Sequence, residues 1–222
     1  MSTFADKAIK YYTNLKTPTS LPPQIDVANP YKSEVVCTVV KKFFKKYFND
    51  NNSRIFIIGI NPGRFGGGLT GISFTDPVAL REICGIENNL GAQRELSSKF
   101  IYRFLNEMEG PEKFYKNYFI SAMFPLALLK GGKNHNYYDS VSLYKSLKPC
   151  IVDTLTKQIG FGACRKLAVS LGKKNFDYLQ EINDEYGFFQ EVRFVEHPRY
   201  IMQYKLKLID LYLDKYRNVL LK

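Results

Sequence analysis

Apolar positions arrive in two patterns, and the alternation between them delimits the elements of the chain. Phe4, Ala8, Tyr11 and Leu15 share one helical face, which predicts an amphipathic helix over residues 3–16. Residues 17–30 carry Pro18, Pro22, Pro23 and Pro30 and read as an extended connection. Val36, Val39, Val40, Phe43, Phe44 and Tyr47 then form the inner face of a second helix, with Lys41, Lys42, Lys45 and Lys46 outside. After the turn at Asp50–Ser53, Ile55–Ile60 has the length and β-branched composition of a buried strand. Pro77 and residues 78–84 suggest a short helix, and Ser97-Ser98 a cap pair for a helix running to Gly110-Pro111. Tyr118–Ile120, Leu167–Leu171 and Val192–Val195 read as three further strands, and Lys173–Ile182 as a helix. Between them lies a polar loop, Lys130–Tyr138; Asp139 can cap the helix after it, and Pro149 can sit in the first turn of the next. From Gln203, the spacing of Leu206, Ile209, Leu213, Tyr216 and Leu220 predicts one long closing helix.

Short apolar strands alternating with helices imply an α/β fold, three-layered, with a central, mostly parallel four-stranded sheet flanked by helices. At 222 residues and 45% hydrophobic content, a single domain over residues 1–222 is expected, with residues 1–30 packed on it. In such sheets ligands bind at the carboxyl ends of the strands. Asn61 stands at such an end and opens a loop with Gly63, Gly66, Gly67, Gly68 and Gly71, where the backbone can approach a ligand closely. The loop matches neither a Walker loop nor a dinucleotide fingerprint. The loop after the last strand carries His197-Pro198, and a shared crevice would join it to Asn61 across about 136 positions.

Charge sharpens this picture. A net charge of +11 suits a polyanionic partner. Sixteen tyrosines and seventeen phenylalanines supply faces on which bases can stack, although most belong in a core. Cys37, Cys84, Cys150 and Cys164 are isolated in sequence, which argues against a zinc, iron–sulfur or redox motif. No apolar run reaches the roughly 18 residues of a membrane helix, and no signal peptide is visible, so a soluble cytoplasmic protein without membrane association is expected.

Gly59-Ile60-Asn61-Pro62-Gly63-Arg64-Phe65-Gly66, then Thr70–Phe74, and far downstream His197-Pro198-Arg199 resemble the two motifs of the single-strand-selective monofunctional uracil-DNA glycosylases. That family belongs to the uracil-DNA glycosylase superfamily. The resemblance covers roughly residues 50–222 and includes Glu95–Ser98, Pro125-Leu126 and Ser170–Gly172. It is nearest to a bacterial branch, through Asn136-Tyr137-Tyr138-Asp139 and His197–Tyr204.

The resemblance implies a monomeric enzyme acting on single- or double-stranded DNA, with no metal or cofactor. Asn61 would hold the attacking water below the sugar C1′, and His197 would face the base O2, where negative charge develops. Phe74 would stack on the extruded base, with Gly63, Phe65 and Gly67 around it; Gly67 stands where animal relatives carry a Met. Arg64 would contact DNA, and Arg199, Tyr200, Ile201, Met202 and Gln203 would form the loop that wedges into the duplex. In uracil-specific relatives an Asn three residues before Pro-Leu reads the base edge; here that slot is Ala122. Ser121, Asn134, Asn136 or backbone groups are the candidates to replace it. His135, in the polar loop, is expected to be solvated, and Asp76 either orients Asn61 or caps the following helix.

Three functions remain open on the sequence. The first is a glycosylase acting on uracil. The second is the same reaction on xanthine or hypoxanthine. The third is a non-catalytic nucleic-acid-binding protein of the same fold, against which the intact Asn61 and His197 argue.

Overall fold

The computed structural model describes residues 2–221. Thr3 and Asp6 form a reciprocal capping box that starts α1 (Phe4–Thr13). Its inner face puts the fully buried Phe4 against Phe48, Phe119 and Phe161, with ring centroids 5.1 to 5.6 Å apart. Burying such a ring contributes about 1.5–3 kcal/mol, so α1 is built into the core. The proline-rich connection contains β1 (Ile25–Ala28). Ser33 then caps α2 (Glu34–Tyr47), whose Val36, Val39, Val40, Phe43, Phe44 and Tyr47 are buried as their spacing predicts.

β2 (Arg54–Gly59) starts at a buried arginine. The Arg54 guanidinium lies 4.8 Å from the ring centroids of both Phe4 and Phe48, donates to the Tyr115 carbonyl at 2.6 Å and pairs with Asp50 at 2.8 Å. The charge is therefore compensated at every face that burial strips of water. The glycine loop holds the single turn α3 (Gly67–Thr70), followed by α4 (Pro77–Glu82), α5 (Leu96–Glu107) and α6 (Pro111–Asn117). Next come β3 (Tyr118–Ala122), β4 (Ala127–Lys130), β5 (Lys133–His135), α7 (Val141–Gly162), β6 (Ala163–Leu171), α8 (Lys173–Tyr186), β7 (Glu191–Val195), α9 (Pro198–Tyr204) and α10 (Ile209–Leu221). The main sheet has the order β3-β2-β6-β7, all parallel, and helices flank it. Every carboxyl end therefore points to one edge, with Gly59 level with Ala122 and Leu171 level with Val195.

Several expectations need correction. The connection and the polar loop are not irregular throughout: β1, β4 and β5 form a second, antiparallel sheet in the order β1-β4-β5. Gly131 and Gly132, at φ +55° and +69°, close the β4–β5 hairpin in the left-handed region, where glycine costs least. Pro149 does not start a helix but lies inside α7. Both Pro149 and Lys145 are exposed, so water can serve the carbonyl that the missing N–H leaves without a partner. Ser140, not Asp139, caps α7, and Glu95 precedes α5, so Ser97 and Ser98 lie within it. The closing helix is interrupted. α9 starts at Pro198, a 3-10 turn covers Leu206–Leu208, and Leu206 is exposed rather than inward.

Candidate active site

A cavity of about 390 Å³ opens at the carboxyl ends of β2 and β3. Asn61, Gly63, Gly67, Phe74, Ala122, Asn136, His197, Arg199, Tyr200 and Gln203 all line it, so most of the expected site residues converge.

Asn61 stands two residues past the end of β2, and its side chain is fixed at both ends. Nδ2 donates to the His135 carbonyl at 3.0 Å, and Oδ1 accepts from the Tyr137 N–H at 3.1 Å. Only one orientation of the amide satisfies both partners. The clamp is anchored in turn: the Tyr137 hydroxyl donates to Asn175 Oδ1 at 2.8 Å, and Asn175 Nδ2 reaches the Ile58 carbonyl at 3.0 Å and Ser170 Oγ at 2.9 Å. The hairpin end that holds Asn61 is thus tied back to the strand that presents it. A carbonyl oxygen has two lone pairs, so Oδ1 retains one for a water. His135 is half-buried, with its backbone holding Asn61, and is not a solvated loop residue. Asp76 does not touch Asn61: its carboxylate accepts from the N–H of Ala79 at 2.8 Å and of Glu95 at 2.9 Å, capping α4 and fixing the start of α5.

His197 is the N-cap of α9, and its Nδ1 accepts from the Arg199 N–H at 3.2 Å. Burial, with the Arg199 charge added, lowers its pKa to about 4. The imidazole is therefore neutral at neutral pH with its proton on Nε2, a donor with no positive charge to desolvate. Phe74 lies 5.7 Å from the His197 ring, centroid to centroid. Its backbone has φ +54°, a region a bulky residue rarely occupies, so its placement is over-determined by its surroundings. Thr70 Oγ1, which donates to the Thr75 carbonyl at 2.7 Å, helps to hold that loop. The ring lies where a side chain on residue 59 would be: a Cβ on Gly59 would come 2.5 Å from Phe74 Cε2. Similarly, a Cβ on Gly67 would meet the Ile72 carbonyl at 3.0 Å, so this wall is backbone.

Glu95 was expected only as part of a motif, yet it forms a wall of the cavity. Its carboxylate rests on Gly63 and Gly66, where any side chain would collide with it. Burial raises its pKa, and Asp76 adds to the rise while Arg199 opposes it. Tyr138 and Tyr204, which the downstream motifs carry without an expected role, also line the cavity.

Four assignments change. Ser121 is fully buried, does not line the cavity, and its hydroxyl has no hydrogen-bond partner among the described residues. Successive strand residues face opposite ways, so with Ala122 in the cavity wall Ser121 points into the protein. Phe65 lies outside the base cavity and is 46% exposed. Ile201 is fully buried and cannot reach DNA, and Met202 is partly buried against the core. Residues 199–203 belong to a helix rather than a loop. Pro198 and Ile201 face inward at helical spacing, which leaves Arg199, Tyr200, Gln203 and Tyr204 outside.

The profile of the uracil DNA glycosylase superfamily matches residues 45–221. The chain is also similar to the crystal structure of wild-type SMUG2 from Pedobacter heparinus: 43% sequence identity, TM-score 0.93, covering 97% of this chain and 96% of that one. No curated protein matches. With a family match over most of its length and a near-complete likeness to that structure, the chain belongs to the uracil DNA glycosylase superfamily of DNA-repair glycosylases, with DNA as its substrate.

Proposed function

We propose that the protein is a monofunctional glycosylase that hydrolyses the N-glycosidic bond of deaminated bases in DNA, uracil first. The observation that carries this reading is the fixed Asn61 amide facing the same cavity as a neutral His197 and the Phe74 ring. The extruded base stacks on Phe74. Asn61 Oδ1 holds a water below C1′, and the His197 Nε2–H donates to O2 as the C–N bond breaks and the base takes up negative charge. Uracil leaves as a stabilised anion, so no pair of carboxylates is needed. The exposed face of α9, with Arg199, Tyr200, Gln203 and Tyr204, occupies the gap left by the base, which offsets part of the few kcal/mol that extrusion costs.

The base preference is broader than uracil in this reading. Ala122 leaves the end of β3 without a hydrogen bond to offer, so the base edge meets Asn134, Asn136 and backbone groups instead. The test is alkaline cleavage of oligonucleotides carrying uracil, xanthine or hypoxanthine after incubation with the protein. Scission at uracil, with xanthine cut as well, is the expected result. Retardation of these oligonucleotides with no scission at any base would leave only a binding protein. Ala122→Asn should raise the uracil-to-xanthine rate ratio, and an unchanged ratio would remove Ala122 from base selection.

The clamp on Asn61 gives a separate prediction. Tyr137→Phe removes the hydroxyl that ties the clamp to Asn175 and should slow single-turnover cleavage about tenfold, with a stability loss of about 1 kcal/mol. In an Asn61→Ala background the same change should keep its stability cost and lose its effect on rate. An additive rate effect there would show that Tyr137 does not act through Asn61.

A further inference from the structure

Beside the base cavity lies a second one, of about 450 Å³, which shares Glu95, Asn134 and Arg199 with it. Apart from Leu96, its remaining wall is cationic and aromatic: Arg64, Arg94, Lys133 and Phe65. Four positive side chains around one cavity repel each other, and neither Lys133 nor Arg199 has an ion-pair partner among the described residues. Arg94 does pair with Glu82 at 2.8 Å, on the exposed surface. The one acidic lining residue is Glu95, whose carboxyl burial shifts towards the neutral form. Phe65 keeps 46% of its surface exposed, with the Arg64 guanidinium 4.4 Å above its ring. Arg64 is held in place by its N–H to Asn134 Oδ1 at 3.0 Å and by its side chain on the Gly132 carbonyl. Clustered cations focus an anion, and an exposed ring carrying an arginine is a stacking platform. The chemistry that satisfies both is a nucleotide: a phosphate with an unstacked base.

We propose that this second cavity is a subsite for the nucleotide flanking the excised one on the same strand, its phosphate against Lys133, Arg94 and Arg199 and its base on the Phe65–Arg64 face. The proposal rests on the reading of the first cavity as the glycosylase site, because the two share a wall and one strand must pass from one to the other. It also sets a strand preference. In a single strand the flanking base is free to leave its neighbours and stack on Phe65. In a duplex it is paired and stacked, and only its phosphate gains.

The test uses single-stranded uracil oligonucleotides in which the 5′ or the 3′ neighbour is replaced by an abasic residue, which keeps the phosphate and removes the base. On one flank, removal should raise the half-saturation concentration for single-turnover cleavage about tenfold, the effect of one stacked base. Phe65→Ala should raise it to the same degree on the intact oligonucleotide and abolish the effect of removing the base. Lys133→Ala should lower the salt slope of binding by about one. Duplexes with the same abasic neighbour should show little change. Equal half-saturation for all single strands, or an undiminished effect of base removal in Phe65→Ala, would overturn the subsite. If no oligonucleotide is cut, the glycosylase reading fails on its own. The same comparison by binding affinity, on single strands already abasic at the target position, then still decides the subsite.

Discussion

Asn61→Ala is expected to lower the single-turnover rate on a uracil oligonucleotide by about two to three orders of magnitude, the usual worth of a positioned reactant or a preorganised dipole. Affinity for abasic DNA should be nearly unchanged, since in the proposed binding mode the phosphates would meet α9 and the basic surface rather than this amide. The substitution also strands two partly buried groups, the His135 carbonyl and the Tyr137 N–H, at a cost of about 1 kcal/mol or more. A melting curve must accompany the kinetics. Asn61→Asp separates the two effects. It can still accept from Tyr137 and hold a water, but it turns a second oxygen towards the His135 carbonyl. An Asp variant that recovers rate while remaining destabilised would place the function in the water and not in the clamp. A wild-type rate for Asn61→Ala would end the water-holding account.

Legibility in the sequence followed burial. The four parallel strands are apolar runs because helices cover both of their faces, and Ile55–Ile60, Tyr118–Ile120, Leu167–Leu171 and Val192–Val195 all lie within strands of that sheet or at their ends. The second sheet was hidden because β1 (Ile-Asp-Val-Ala) is only four residues long and incompletely buried, and β5 (Lys-Asn-His) is three polar residues, mostly exposed. A motif carries Asn61, Phe74 and His197. The Asn136–Asp139 motif contains Tyr137 but does not show its role, and no motif carries Asn175, since the bonds that make them matter span 76 and 38 positions. Ile201 was misplaced for a different reason. Read as a loop, residues 199–203 all seem available to DNA; read at a period of 3.6, Pro198 and Ile201 form the inner face and Tyr204 joins the outer one. That pattern was in the sequence.

His197→Leu should slow uracil excision by about two orders of magnitude, the loss of one donor at a developing oxyanion. 5-Fluorouracil, whose anion is intrinsically more stable, should be slowed less. Equal slowing of both bases would reassign His197 to packing. The ionisation state makes a second, independent demand. With the pKa lowered to about 4 by burial and by Arg199, the imidazole is neutral from about pH 5 upward. The His197-dependent part of the rate should therefore be level between pH 5 and 8, as drawn from that lowered value. A mechanism that needs imidazolium would instead lose rate as pH rises through the ordinary histidine range. The same shift links to stability. Between the ordinary value of 6.5 and about 4 the unfolded chain binds a proton at His197 that the folded chain does not. The folded state keeps this contribution in full above that window and loses it as pH falls through it. Chemical denaturation of wild type and His197→Leu at pH 7.5 and pH 4.5 checks the sign: the wild type should lose more stability on acidification than the variant. A larger loss in the variant would mean that His197 is charged in the folded protein, and a neutral donor to O2 would no longer stand.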